Sequence, residues 1–310
     1  MTKWNFLEKG EIIDVISPGY PSPPHEVEDA RKFLLKWGLV PRIPKDIIKP
    51  HFLHAHEDDK RFAFLKAAIQ AKDSRVIWCL RGGYGSNRLL PMLAKLKKPK
   101  QPKLIIGISD ITSLHTFFIQ EWGWSTLHGP LLVSLGRDNL PAKLEKEMQR
   151  VMFGPQTEVE FKNLKPLNEA ARKMKPTKSK IVGGNLTVMQ SGFGTPWQIR
   201  TDNSFLFVED LGERGYRIDR MFEQFRQAGL FKKCHGLLLG DFLGGVEPAT
   251  QKNNFKKVFK RWADDLEIPM FQGLEAGHAL MQRPVPLNTP CVMSVESGKG
   301  RLVVQTGGQE

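Results

Sequence analysis

The sequence predicts an α/β protein in two parts, and three observations carry that expectation. Short β-rich runs alternate with amphipathic helical stretches through residues 1–135. A basic, proline-containing stretch at 136–178 interrupts the rhythm and is expected to be a linker, and a further series of apolar runs follows at 179–310. At 310 residues, 40% of them hydrophobic, the chain exceeds the usual size of one domain and can fill two cores.

In the first part, "EIIDVIS" (11–17), "LVPRI" (39–43), "RVIWCL" (75–80) and "KLIIG" (103–107) read as strands. Between them "HEVEDARKFLLKWG", "DDKRFAFLKAAIQAKDS" and "SNRLLPMLAKL" read as helices, and "ITSLHTFFIQEWG" follows the last strand as another. This alternation means βαβ units and a parallel sheet. Ligands bind beyond the carboxyl ends of such strands, where "SPGY", "RGGYG" and "GISD" fall. In the second part "SKIVGG", "SFLFVED", "HGLLLGD" and "RLVVQT" read as strands of a mixed α/β domain, with helices starting near Asn185, Tyr216 and Gln251.

Composition narrows the function classes. The net charge of +13 favours anionic partners, but the lysine clusters at 95–103 and 162–180 carry no aromatic side chain for base stacking and read as solvated loop. Neither a nucleic-acid nor a membrane partner is expected, and no signal-peptide core is seen in "MTKWNFLEKGEIID". Cys79, Cys234 and Cys291 form no CxxC pair, which fits a reducing, cytoplasmic setting. The histidines of "HFLHAHEDD" (51–59) lack a one-face helical spacing, so neither a metal nor a cofactor is expected.

Ser109 lies between a run of β-formers and a helix, where a sharp turn exposes a hydroxyl and frees the N–H of Asp110. The other reading has Ser109 or Asp110 capping that helix. The glycines of "RGGYG" suit a loop that points N–H groups at a ligand, from Gly82 or Gly83. A serine nucleophile needs a base, for which His115, His128 and His278 are candidates. It also needs an orienting carboxylate, for which Glu209 and Asp210 stand at the end of an apolar strand. Arg81 and Arg283 flank these motifs and suit either a substrate carboxylate or structural ion pairs.

Four stretches in order, "RGGYGSNRLLP", "GISDITSLH", "LFVEDLGERGYRIDRM" and "AGHALMQRPVPLN", resemble the LD-carboxypeptidase family of serine peptidases, which includes murein tetrapeptide carboxypeptidases and microcin C self-immunity peptidases. "GGNLTVMQSGFGTPW" (183–197) fits the start of that family's second domain. The resemblance implies a flavodoxin-like amino-terminal domain, a smaller swivelling carboxyl-terminal domain and a homodimer. It implies Ser109 as nucleophile, His278 as base, Glu209 as orienting acid, and an oxyanion hole from the N–H groups of Asp110 and Gly83. The reaction implied is loss of the terminal D-alanine from a murein tetrapeptide, with a microcin-type conjugate as the alternative substrate and a non-catalytic anion binder as the reading from another class. "HFLHAHEDD" replaces the Gly-Thr-Asp/Glu loop usual in the family, and the linker is unusually basic, which leaves substrate preference open.

Overall fold

The structure, a computed structural model, describes residues 4–137 and 140–308. Residues 1–3 of the amino-terminal stretch and 138–139 of the basic segment lie outside the described residues. Five parallel strands form the first sheet: β1 (Ile12–Ile16), β2 (Val40–Arg42), β3 (Ser74–Cys79), β4 (Leu104–Gly107) and β5 (Thr126–His128). Their order is 2-1-3-4-5, the flavodoxin arrangement, with β12 (Val285–Leu287) added antiparallel to β5. The helices are α1 (Pro24–Lys36), α2 (Asp58–Gln70), α3 (Leu90–Leu93), α4 (Thr112–Trp122) and α5 (Leu132–Gly136). "SNRLLPMLAKL", expected as one helix, is a short 3-10 turn followed by the single turn of α3, with Pro91 at its start.

The stretch expected as a linker is folded. It holds α6 (Ala142–Phe153), β6 (Glu158–Pro166), α7 (Glu169–Arg172) and most of β7 (Thr177–Ser179). Its charge misleads because β6 buries only Val159, Phe161, Leu164 and Pro166 and leaves lysines outside. After it come β8 (Ile181–Asn185), α8 (Leu186–Gln190), β9 (Phe205–Leu211), α9 (Gly215–Gln227), β10 (Gly236–Leu243), α10 (Phe255–Asp265), β11 (Met270–Gln272), β13 (Cys291–Glu296) and β14 (Lys299–Gln305). The second sheet runs β7-β13-β14-β6-β11-β10-β9-β8, parallel from β8 to β11 and antiparallel beyond.

Residues 274–284 cross from the second sheet to the first, because β11 belongs to one and β12 to the other. Arg283 anchors the crossing: its guanidinium donates to both oxygens of Glu147 on α6 and to the Glu160 carbonyl on β6, and it lies 4.4 Å from the Phe161 ring centre. This pairing assigns Arg283 to structure and corrects the substrate-carboxylate alternative.

Between β4 and β5, α4 packs with almost every residue buried, and the Phe118 ring stacks on Trp124 at 5.3 Å between centres. Removing the ring leaves a cavity that rigid neighbours cannot fill. Phe118→Ala is expected to cost about 3–5 kcal/mol of unfolding free energy. Urea denaturation checks this, and a loss below about 1 kcal/mol would show that the α4 site collapses freely.

Candidate active site

Ser109 follows β4 and has φ +65°, a backbone conformation that non-glycine residues rarely adopt outside tight turns. Its hydroxyl makes no hydrogen bond among the described residues, so it does not cap the helix. Asp110 does not cap it either. The Asp110 carboxylate accepts from the N–H of Ser86 at 2.9 Å and from that of Gly85 at 3.3 Å, while the Ser86 hydroxyl donates to the Asp110 carbonyl. The serine turn is thereby bound to the glycine loop by its own neighbour.

That loop lies against Ser109, since a side chain at Gly82 would meet the Ser109 Cβ at 3.2 Å. The Gly82 carbonyl accepts from Tyr20 N–H at 2.9 Å. In a trans peptide the following N–H points the opposite way, so the Gly83 N–H faces away from Tyr20. Neither it nor the Asp110 N–H has a hydrogen-bond partner among the described residues. Two free donors beside a half-buried hydroxyl suit a developing oxyanion.

Behind the loop stands Arg61, buried on α2. It donates to the carbonyls of Gly85 at 2.9 Å and His56 at 3.1 Å, to that of Pro18, and to Asp58. The sequence gives no sign of this role. It also accounts for the histidine-rich segment, where His54 packs on Tyr84 and His56 Nδ1 accepts from Glu57 N–H. Arg81 pairs with Glu26 and lies over the Tyr20 ring, a structural contact at the loop's entry.

Glu209 and His278 come together although 69 residues separate them, with Nδ1 donating to Oε2 at 2.7 Å. Glu209 is fully buried in β9, and alternation along the strand turns Asp210 to the opposite face. There Asp210 accepts from the N–H and hydroxyl of Thr187 and from Leu211 N–H, and burial with the Glu209 charge pushes it up to about 6. Asp241 on β10 accepts from Ala279 N–H, and is pushed up to about 6 by burial and the same charge. His115 and His128 do not serve as exposed bases, because both are fully buried. His115 donates Nε2–H to the Gly107 carbonyl, and burial pushes it down to about 3.

Burial works against the charged forms of both partners in the Glu209–His278 pair, yet attraction prevails. Glu209 is held well below the usual carboxylate range by the His128 and His278 imidazoles. His278 is held above the ordinary histidine range by its hydrogen bond to Glu209 and by the charges of Glu209, Asp210 and Asp241. A carboxylate only accepts, so His278 carries its proton on Nδ1 and presents the Nε2 lone pair.

The serine turn meets this pair through β8. Thr112, three residues after Ser109, accepts from Asn185 N–H at 2.9 Å, and Asn185 is the register neighbour of Glu209. Gly107 is likewise the register neighbour of His128, which faces Glu209. The chain thus brings the Ser109 turn and the Glu209–His278 pair to one junction between the sheets.

Residues 13–129 match the LD-carboxypeptidase N-terminal domain, and residues 178–293 match the LD-carboxypeptidase C-terminal domain. A probable murein peptide carboxypeptidase of Bacillus subtilis is 31% identical over 309 residues, spanning 98% of this chain and 94% of its own. The crystal structure of a muramoyltetrapeptide carboxypeptidase from Oxalobacter formigenes is similar at TM-score 0.82 and 27% identity, covering 96% of this chain and 100% of that one. The microcin C7 self immunity protein MccF in complex with aspartyl sulfamoyl adenosine shares the fold at TM-score 0.82 and 20% identity, over 99% of each chain.

Close approach of the crossing to β9 depends on Gly240. A Cβ there would lie 2.6 Å from Phe207 Cε2 and 3.2 Å from Glu209 Cβ, and against the Ala276 carbonyl. Gly240→Ala is therefore expected to lengthen the Glu209–His278 contact and move the His278 titration midpoint down toward the ordinary value of about 6.5. NMR titration of the His278 ring protons measures it, and an unmoved midpoint would show that this approach does not set the pair.

Proposed function

The chain belongs to the LD-carboxypeptidase family and is a serine carboxypeptidase, and from that premise we propose that Ser109, His278 and Glu209 remove the terminal D-alanine of murein tetrapeptides. The Glu209–His278 hydrogen bond carries the reading, because it leaves Nε2 as a free base at the junction that holds the serine turn. In the first half-reaction Nε2 takes the Ser109 hydroxyl proton as the oxygen attacks the carbonyl of the L-configured residue. The oxyanion rests on the N–H groups of Gly83 and Asp110. The imidazolium then gives its proton to the departing D-alanine amine, the amide breaks, and an ester to Ser109 remains. Water, deprotonated by the same Nε2, cleaves the ester and restores the hydroxyl.

The family's names favour a murein peptide as substrate: the Bacillus subtilis relative is a probable murein peptide carboxypeptidase, and the Oxalobacter formigenes protein a muramoyltetrapeptide carboxypeptidase. Such a peptide is anionic, which gives the net charge of +13 a use in steering. Cytoplasmic action in wall recycling completes the reading, in keeping with three free, buried cysteines. No helix among the described residues is long and apolar enough to cross a membrane. The proposal includes a homodimer, which sedimentation tests directly.

Incubation with murein tetrapeptide should release one D-alanine with the wild-type protein and none measurable with Ser109→Ala, product mass being the readout. Cleavage of aspartyl sulfamoyl adenosine with the tetrapeptide left intact would reassign the substrate. Retained hydrolysis in Ser109→Ala would remove the nucleophile from the mechanism.

Protonated His278 cannot act as a base, so kcat/KM should fall as pH drops through its pKa. Because that pKa is raised, the acidic limb is expected above the ordinary value of about 6.5. A limb below it would show that another group is the base.

A further inference from the structure

Glu209 uses one oxygen on His278, and the other, Oε1, makes no hydrogen bond among the described residues although it is fully buried. A charged oxygen sealed in that way is costly unless a donor faces it. His128 Nε2 stands 3.8 Å from Oε1. That is beyond a hydrogen bond, and a shift of about 1 Å closes it. The His128 ring is fully buried, with its plane 87° to that of Phe207 and centres 4.9 Å apart, and neither of its nitrogens has another partner among the described residues. Its backbone is fixed between Gly107 on β4 and Val285 on β12, so the ring is held beside both the serine turn and the crossing that carries His278.

We propose that His128 is a positioning residue whose Nε2–H meets Glu209 Oε1 and keeps Oε2 directed at His278 Nδ1. The inference rests on the Ser109, His278 and Glu209 reading and adds a fourth side chain to it. As the imidazolium forms on His278, its charge draws on Oε2, and a donor on Oε1 stops the carboxylate turning. His128 meets this need wherever its Nε2 carries a proton. The acids whose charge acts on the pair are Asp210, on the other face of β9, and Asp241 on β10, while His115 on α4 lies against His128 with ring centres 6.3 Å apart. The negative side is crowded, and a donor on Oε1 relieves it without adding a base at the surface.

Three proteins test this: wild type, His128→Phe, which keeps a ring without a donor, and His128→Gln, which returns an N–H near the Nε2 position. In His128→Phe, kcat is expected to fall about tenfold to a hundredfold with KM unchanged, the scale on which outer partners of functional histidines act. Its acidic limb should move to lower pH, and the far-downfield Nδ1 proton resonance of His278 should weaken or shift upfield. His128→Gln should recover most of all three. In 15N-histidine-labelled wild type, His128 should carry a proton on Nε2.

A His128→Phe protein with unchanged kcat, limb and Nδ1 resonance overturns the proposal. So does a wild-type His128 protonated on Nδ1 alone, a measurement that stands even if the phenylalanine variant fails to fold. Failure of the parent reading is seen separately, as retained hydrolysis in Ser109→Ala or Glu209→Gln.

Discussion

Glu209 has no exposed surface, and a carboxylate in that position is tolerable only where nearby groups meet its charge. The surrounding fold supplies them from separate elements. His278 arrives on the crossing between the two sheets, His128 stands at the end of β5, and Gly240 lets the crossing lie close against β9. Remove any of these and the charge is less well met, so the geometry of the Glu209–His278 pair and the stability of the junction share a cause. The shifts agree with this. The histidine is held protonated to higher pH and the glutamate ionised to lower pH, each by the other.

The serine side of the junction rests on a similar coupling. Asp110 follows the serine and spends its carboxylate on the glycine loop, so the turn and the loop form one unit. Arg61 carries that unit back to the loop after β1 and to the histidine-rich segment through three carbonyls. A buried guanidinium of this kind is poorly explained by stability alone, since its desolvation offsets much of what its contacts contribute. It holds the loop in one place, and the backbone N–H groups of that loop depend on being pre-positioned.

The βαβ rhythm was legible because it is local, with a period of two giving way to a helical period and back within each unit. The linker reading failed at β6 because a strand buried on one face displays its charges on the other, and "EVEFKNLKP" reads as basic until a partner strand covers Val159 and Phe161. The three residues of β12, with Pro286 in their middle, carry no periodicity at all. They are a strand only because β5 presents an open edge.

By itself, then, the sequence determined the alternating architecture, the serine turn and the short roll of acids and histidines from which a site had to be drawn. Those features depend on neighbours in the chain. Tertiary structure decided which of them meet: Glu209 rather than Asp210, because adjacent strand residues face opposite ways, and His278 rather than His115, whose ring is sealed against Gly107. It also decided the uses of Asp110, Arg61, Arg283 and His128. Each acts on a partner distant in sequence, and only packing brings those partners within a few ångströms.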